Sequence, residues 1–129
     1  MRLKEGVSLD GVKAETVAVM YIVDDAYDSL GKQLWITSTT DGKHSKNSAH
    51  YKGLAFDART RESSGSMTKW SDEFKLRLAK RICEYLGYSV PVIIMPDDDG
   101  GCSKGALFIA GEWIVLIEST HLHIQRRTK

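Results

Sequence analysis

The sequence predicts an α+β domain, on three observations. Apolar residues recur at three- and four-residue spacing in two separate stretches, short runs rich in β-branched and aromatic residues lie between and after them, and Gly or Asp-Gly signals mark the boundaries. The 129 residues suit one domain, 1–129, large enough to bury most of its apolar surface without staples.

In chain order, residues 10–30 place Val17, Met20, Tyr21, Val23, Tyr27 and Leu30 on a helical stripe, with Asp10 or a neighbour near the cap and Gly31 as the stop. Residues 33–38, with Trp35 and Ile36, read as a strand that runs into a polar loop carrying Asp41 and Gly42. In residues 53–58 the alternation sets Gly53, Ala55 and Asp57 on one face and Leu54, Phe56 and Ala58 on the other. The apolar face can pack on a helix, and the small-residue face leaves room for something bound beside Asp57. Residues 60–69, centred on Ser63, Ser64, Gly65 and Ser66, read as an exposed loop at the rim of a cleft.

Ser71 caps a second helix whose first turn carries Asp72 and Glu73 and whose core stripe is Phe74, Leu78, Ile82 and Leu86, with Gly87 at its end. Residues 90–95 are a strand that tolerates Pro91 near its start. Residues 106–109 and 113–125 form an antiparallel hairpin turned at Gly111. On the final strand His121 and His123 share one face, and Leu122 and Ile124 share the other.

Composition excludes several classes. Lys and Arg number 18 against 17 Asp and Glu, so no global field draws the protein to nucleic acid or to an anionic membrane. There is no apolar signal segment at the N-terminus and no run of about 18 apolar residues, so a soluble monomer without its own export signal is expected. Cys83 and Cys102 are too few for a disulfide framework and neither has a CxxC partner, which leaves nitrogen and oxygen to hold any metal. The acidic run of Asp97, Asp98 and Asp99 lacks the spacing and distal Glu of a calcium loop and reads as a solvated turn.

Three of the four histidines fall in two short stretches. His50 and Asp57 sit seven residues apart around Gly53, and the glycine allows the turn that brings an odd spacing to one face. His121 and His123 lie near the C-terminus. A hydrolytic zinc takes three ligands from His and Asp or Glu and keeps one position open. His50, Asp57 and one of His121 or His123 supply that set, and the resident metal is read as Zn2+.

Residues 48–57 fit SxHxxGxAxD at every fixed position, and His121, Leu122 and His123 complete an HxH. Together these resemble the zinc peptidases that include D-Ala-D-Ala carboxypeptidases and dipeptidases, phage L-alanyl-D-glutamate endolysins and the Hedgehog signalling domain. The resemblance covers most of the chain from Leu34 onward. It implies helices packed on one face of an antiparallel sheet with the zinc on the other, and it makes His50, Asp57 and His123 the ligands. His121 then takes the place of a second histidine beside the metal, and Ser48 that of a residue supporting the ligands or contacting substrate; the other reading of Ser48 is a simple turn hydroxyl.

Two departures stand out. Many members carry a carboxylate general base three residues before the last ligand, where this chain has Thr120. Glu118 is the nearest carboxylate, but its parity opposes His121 unless the strand bulges near Ser119 or Thr120. The arginine that members often place after the first strand is also missing; His44 can stand in as a donor, and Arg59 can receive a substrate carboxylate or pair with a surface acid. The resemblance implies a phage or prophage enzyme hydrolysing the stem peptide of bacterial peptidoglycan, made in the cytoplasm and acting at the cell wall at lysis or from a virion. The other reading is a non-catalytic zinc-binding phage module of the same fold.

Overall fold

A computed structural model describes residues 1–40, 48–62, 69–88, 92–94 and 106–127. Seven strands and two helices follow in the order β1 (Arg2–Leu3), α1 (Ala14–Ser29), β2 (Trp35–Ser38), β3 (Ala55–Arg59), α2 (Asp72–Tyr85), β4 (Val92–Ile94), β5 (Leu107–Ala110), β6 (Trp113–Ile117) and β7 (His121–Arg126). The α+β expectation holds. The strands form one sheet ordered β1-β2-β3-β7-β6-β5-β4, so β3 and β7, which carry the SxHxxGxAxD aspartate and the HxH pair, lie side by side within it.

The sheet is mixed, not antiparallel throughout. Every described pair is antiparallel except β1 with β2, which run parallel with Arg2 opposite Trp35 and Leu3 opposite Ile36. The chain passes through α1 between these two strands, and such a crossover is what parallel neighbours require. The pairing is anchored by Arg2 N–H donating to Leu34 O and Lys4 N–H to Ile36 O, both at 2.9 Å.

The first helix is shorter than residues 10–30. It starts at Ala14 with no side-chain cap, and it buries Thr16, Val19, Met20, Val23, Ala26 and Tyr27. Met20, Val23 and Tyr27 of the expected stripe are buried, whereas Tyr21, placed on it by spacing, is 59% exposed. The second helix follows the sequence more closely. Ser71 Oγ accepts from Phe74 N–H at 3.1 Å, a cap that contributes about 1 kcal/mol. Leu78 and Ile82 are buried with Ala79 and Cys83, and Gly87 follows at φ +101°.

Val19, Met20, Val23 and Tyr27 of α1 and Leu78, Ile82 and Cys83 of α2 share one apolar cluster with Ile36, Phe56, Ala58, Phe108, Val115, Leu122 and Ile124 of the sheet. Asp57, His121 and His123 are the alternate residues of β3 and β7, and so project from the other side of the pleat.

The run 113–125 is two strands, not one. Glu118 N–H donates to His121 O at 2.9 Å, and Ile117 pairs with Leu122, so Ser119 and Thr120 form a two-residue hairpin loop. Neither residue carries the Gly or Asn signal by which such turns are usually read. The expected loop centred on Ser63–Ser66, the acidic run at 97–99, Cys102 and His44 lie outside the described residues. No helix among the described residues is long and apolar enough to cross a membrane.

Candidate metal centre

Residues 48–53 make a compact turn that delivers His50. Tyr51 N–H, Lys52 N–H and Gly53 N–H donate to the carbonyls of Ser48, Ala49 and His50, and Ser48 Oγ accepts from His50 N–H at 3.2 Å. Ser48 thus shapes the turn. Gly53 adopts φ +72°, and a Cβ there would lie 2.0 Å from Gly11 O. Gly53 O in turn accepts from Lys13 N–H at 3.0 Å and from Thr16 Oγ1 at 2.8 Å, locking the turn onto the start of α1.

The turn carries His50 over the β3–β7 pair. Asp57 stands opposite His123 and Arg59 opposite His121 in the antiparallel register. His50 Nε2 lies 3.1 Å from His123 Nδ1 and 3.2 Å from Asp57 Oδ1, and His123 Nδ1 lies 3.0 Å from the same oxygen. The three atoms form a nearly equilateral triangle. A tetrahedral zinc with bonds of about 2.0–2.1 Å sets its ligand atoms roughly 3.3 Å apart, close to these separations.

The far side of each ring fixes what the triangle contains. His50 Nδ1 is 2.7 Å from Thr39 O; a carbonyl only accepts, so Nδ1 holds a proton and Nε2 is the nitrogen turned inward. His123 Nε2 is 2.7 Å from Gln125 Oε1, which by the same logic makes Nδ1 the inward nitrogen. Hydrogen bonds from these nitrogens reach the Asp57 oxygen in the metal-free site; with their protons displaced, three lone pairs converge across about 3 Å, the donor set that a cation takes. These residues therefore fit a divalent metal, and His50, only 3% exposed, is shielded from competing water. His50, Asp57 and His123 form the described group of possible metal ligands.

Burial opposes ionisation of Asp57, yet hydrogen bonds from His123 and His50 and the positive charges of His121 and His50 outweigh it and hold its carboxyl well below the usual range. Burial likewise opposes protonation of His123, but hydrogen bonds to Asp57 and Gln125, with the charges of Asp57 and Glu118, raise it above an ordinary histidine.

His121 stands beside the triangle. Its Nε2 is 3.6 Å from Asp57 Oδ2 and 3.7 Å from Glu118 Oε2, and its Nδ1 is 2.9 Å from Thr120 Oγ1. The hairpin loop brings Glu118 to His121 and so resolves the parity conflict: a turn, where a bulge was expected, re-aims it. Glu118 remains 42% exposed and touches His121, not the three ligand atoms. Thr120, which cannot serve as a base, positions the His121 ring.

Arg59 follows Asp57 on the same face and is 6% exposed, its guanidinium 4.6 Å from the centre of the Trp35 ring. It lines a cleft of about 200 Å³ that Asp57 and His121 border at the metal end. A bulge in β2 between Ile36 and Ser38 sets Thr37 and Ser38 along the same cleft. Cys83 is buried, its thiol pushed up to about 12 by burial and by Glu84, and takes no part.

Gln125 was within reach of sequence reasoning, since it shares the parity of His123 two residues on. The Thr39 carbonyl carries no side-chain signal, and Lys4 reaches the cleft only through the parallel pairing of β1. No family model, curated protein or solved structure matches this chain.

Proposed function

We propose that the protein is a zinc-dependent peptidase acting on the stem peptide of bacterial peptidoglycan, of phage or prophage type, working at the cell wall. The observation that carries this reading is the triangle of His50 Nε2, Asp57 Oδ1 and His123 Nδ1, whose inward nitrogens are set by the contacts of the opposite ring nitrogens with Thr39 O and Gln125. The SxHxxGxAxD and HxH patterns, which resemble those of D-Ala-D-Ala carboxypeptidases, phage endolysins and Hedgehog domains, point to the same ligands and to the same type of fold.

A zinc ion held there would supply Lewis acidity, which makes water nucleophilic at neutral pH and polarises a carbonyl. His121, between Asp57 and Glu118, is placed to donate a hydrogen bond to a carbonyl oxygen as it gains charge. Glu118, in contact with His121 and open to solvent, can take a proton from the reacting water and return it to the leaving amine.

The test is release of peptide fragments from purified sacculi by the zinc-loaded protein. Wild type should clear the suspension, His123→Ala should be inactive with zinc lost, and Glu118→Ala should retain zinc but lose about 10²–10⁴-fold in rate. A zinc-bound wild type that releases nothing would leave the second reading, a non-catalytic zinc module. That reading is favoured by one observation: the carboxylate of Glu118 reaches His121 and stops there.

A further inference from the structure

Among the described residues, the cleft beside the ligand triangle is lined by more basic than acidic side chains: Lys4, Arg59 and Arg61 border it, and the one carboxylate among them, Asp57, is committed to His50 and His123. Arg59 is the telling residue, because it is more than nine-tenths buried and has no carboxylate within ion-pair distance among the described residues. Trp35 covers one part of its guanidinium; a ring face offers far less to a buried charge than an anion does. Thr37 and Ser38 add hydroxyl groups along the same wall.

The spacing says how large the anion's carrier can be. Asp57 and Arg59 are alternate residues of one strand, about 6.8 Å apart along it. From a carbonyl carbon at the metal to the α-carboxyl carbon of the next residue is one residue's length, about 3.8 Å at full extension. Adding a hydrogen bond at the carboxylate end spans the remainder.

We propose that the cleft binds the free α-carboxylate of the residue on the amine side of the scissile bond, with Arg59 as the bidentate partner and Lys4 adding to the field. This rests on the peptidase reading above and deepens it. The carboxylate has two sources in a stem peptide: the terminal D-Ala of a D-Ala-D-Ala end, and the D-Glu that follows L-Ala, which is linked onward through its γ-carboxyl and so keeps its α-carboxyl free. In both, the carboxylate sits on the carbon next to the scissile nitrogen. Amidation of that carboxyl, as in isoglutamine stems, removes the charge without changing the shape.

The experiment uses the zinc-loaded full chain and two peptide pairs, one ending in D-Ala-D-Ala as acid or amide, the other containing L-Ala-γ-D-Glu or L-Ala-γ-D-isoglutamine. The acid form of one pair should be cleaved with kcat/KM about 100-fold above its amide, and the pair that is cleaved identifies the source. Arg59→Gln should raise KM for the acid about tenfold or more and so narrow the acid-to-amide ratio of kcat/KM; Lys4→Gln, at an exposed position, should narrow it more weakly without touching the core. Equal cleavage of acid and amide overturns the carboxylate site while the peptidase stands. If nothing is cleaved, calorimetric binding of the same peptides decides: preference for the acid, lost in Lys4→Gln, supports the cleft assignment, and equal or absent binding overturns it.

Discussion

His50 and His123 show how a single proton location sets a residue's role. Thr39 O accepts from Nδ1 of one and Gln125 Oε1 from Nε2 of the other, so the two rings would offer a metal different nitrogens. Gln125→Leu removes that constraint on His123 and should weaken zinc binding by about 10–100-fold, measured by competition with a chromophoric chelator. The metal-free site has its own pH logic. Asp57, with its pKa depressed, stabilises the fold above its unfolded value of about 3.9 and loses this as pH falls through the folded one; His123, with its pKa raised, does so below about 6.5 and loses it as pH rises through its folded pKa. Chelator-treated protein should therefore gain most from the pair between about pH 4 and 6.5. Zinc affinity runs the opposite way, since the ion displaces the His123 proton: below the raised pKa the apparent Kd should weaken by about tenfold per pH unit, read by titration at several pH values.

At the scale of elements, the turn at 48–53 governs whether His50 arrives at all. Gly53→Ala sets a Cβ against Gly11 O at a positive φ, whereas Gly31→Ala has the same backbone sign and open space around it. The first should cost upwards of about 2 kcal/mol in urea denaturation and lower zinc affinity as well; the second should cost about 1 kcal/mol and leave zinc binding unchanged. The contrast separates strain alone from strain plus collision. Here also lies the boundary of what could be read in the sequence. The His50 turn, the Asp57 face and the α2 cap were legible because each depends on residues close in sequence: a glycine, an alternation, a serine before two acids. The Ser119–Thr120 loop was not, because its turn has no Gly, Asn or Pro and its cause is the register of β6 against β7. Tyr21 was misplaced for a similar reason, the rotation of α1 being set by its packing on α2 and the sheet.

For the molecule as a whole, the ligands join three separate pieces of chain: the turn, β3 and β7. Zinc at about 1,000 times its Kd should add about 4 kcal/mol to stability, and a chelator should remove it, seen as a fall in Tm on the order of 10 °C or more. Lys4 in the cleft is the feature least visible in the sequence, since a two-residue parallel strand and a helical crossover must both form before residue 4 meets residue 59. The register of β3 against β7 has a consequence in time. Asp57 and His123 are 66 positions apart and His50 and His123 are 73, so a metal would have no complete site until β7 has been synthesised and has entered the sheet between β3 and β6. On a ribosome adding about 5–20 residues per second, several seconds separate the appearance of the first ligand from that of the third. Metal capture at this site would then mark the completion of the sheet, and a nascent chain stalled before residue 121 would carry the SxHxxGxAxD stretch intact and yet lack the third ligand.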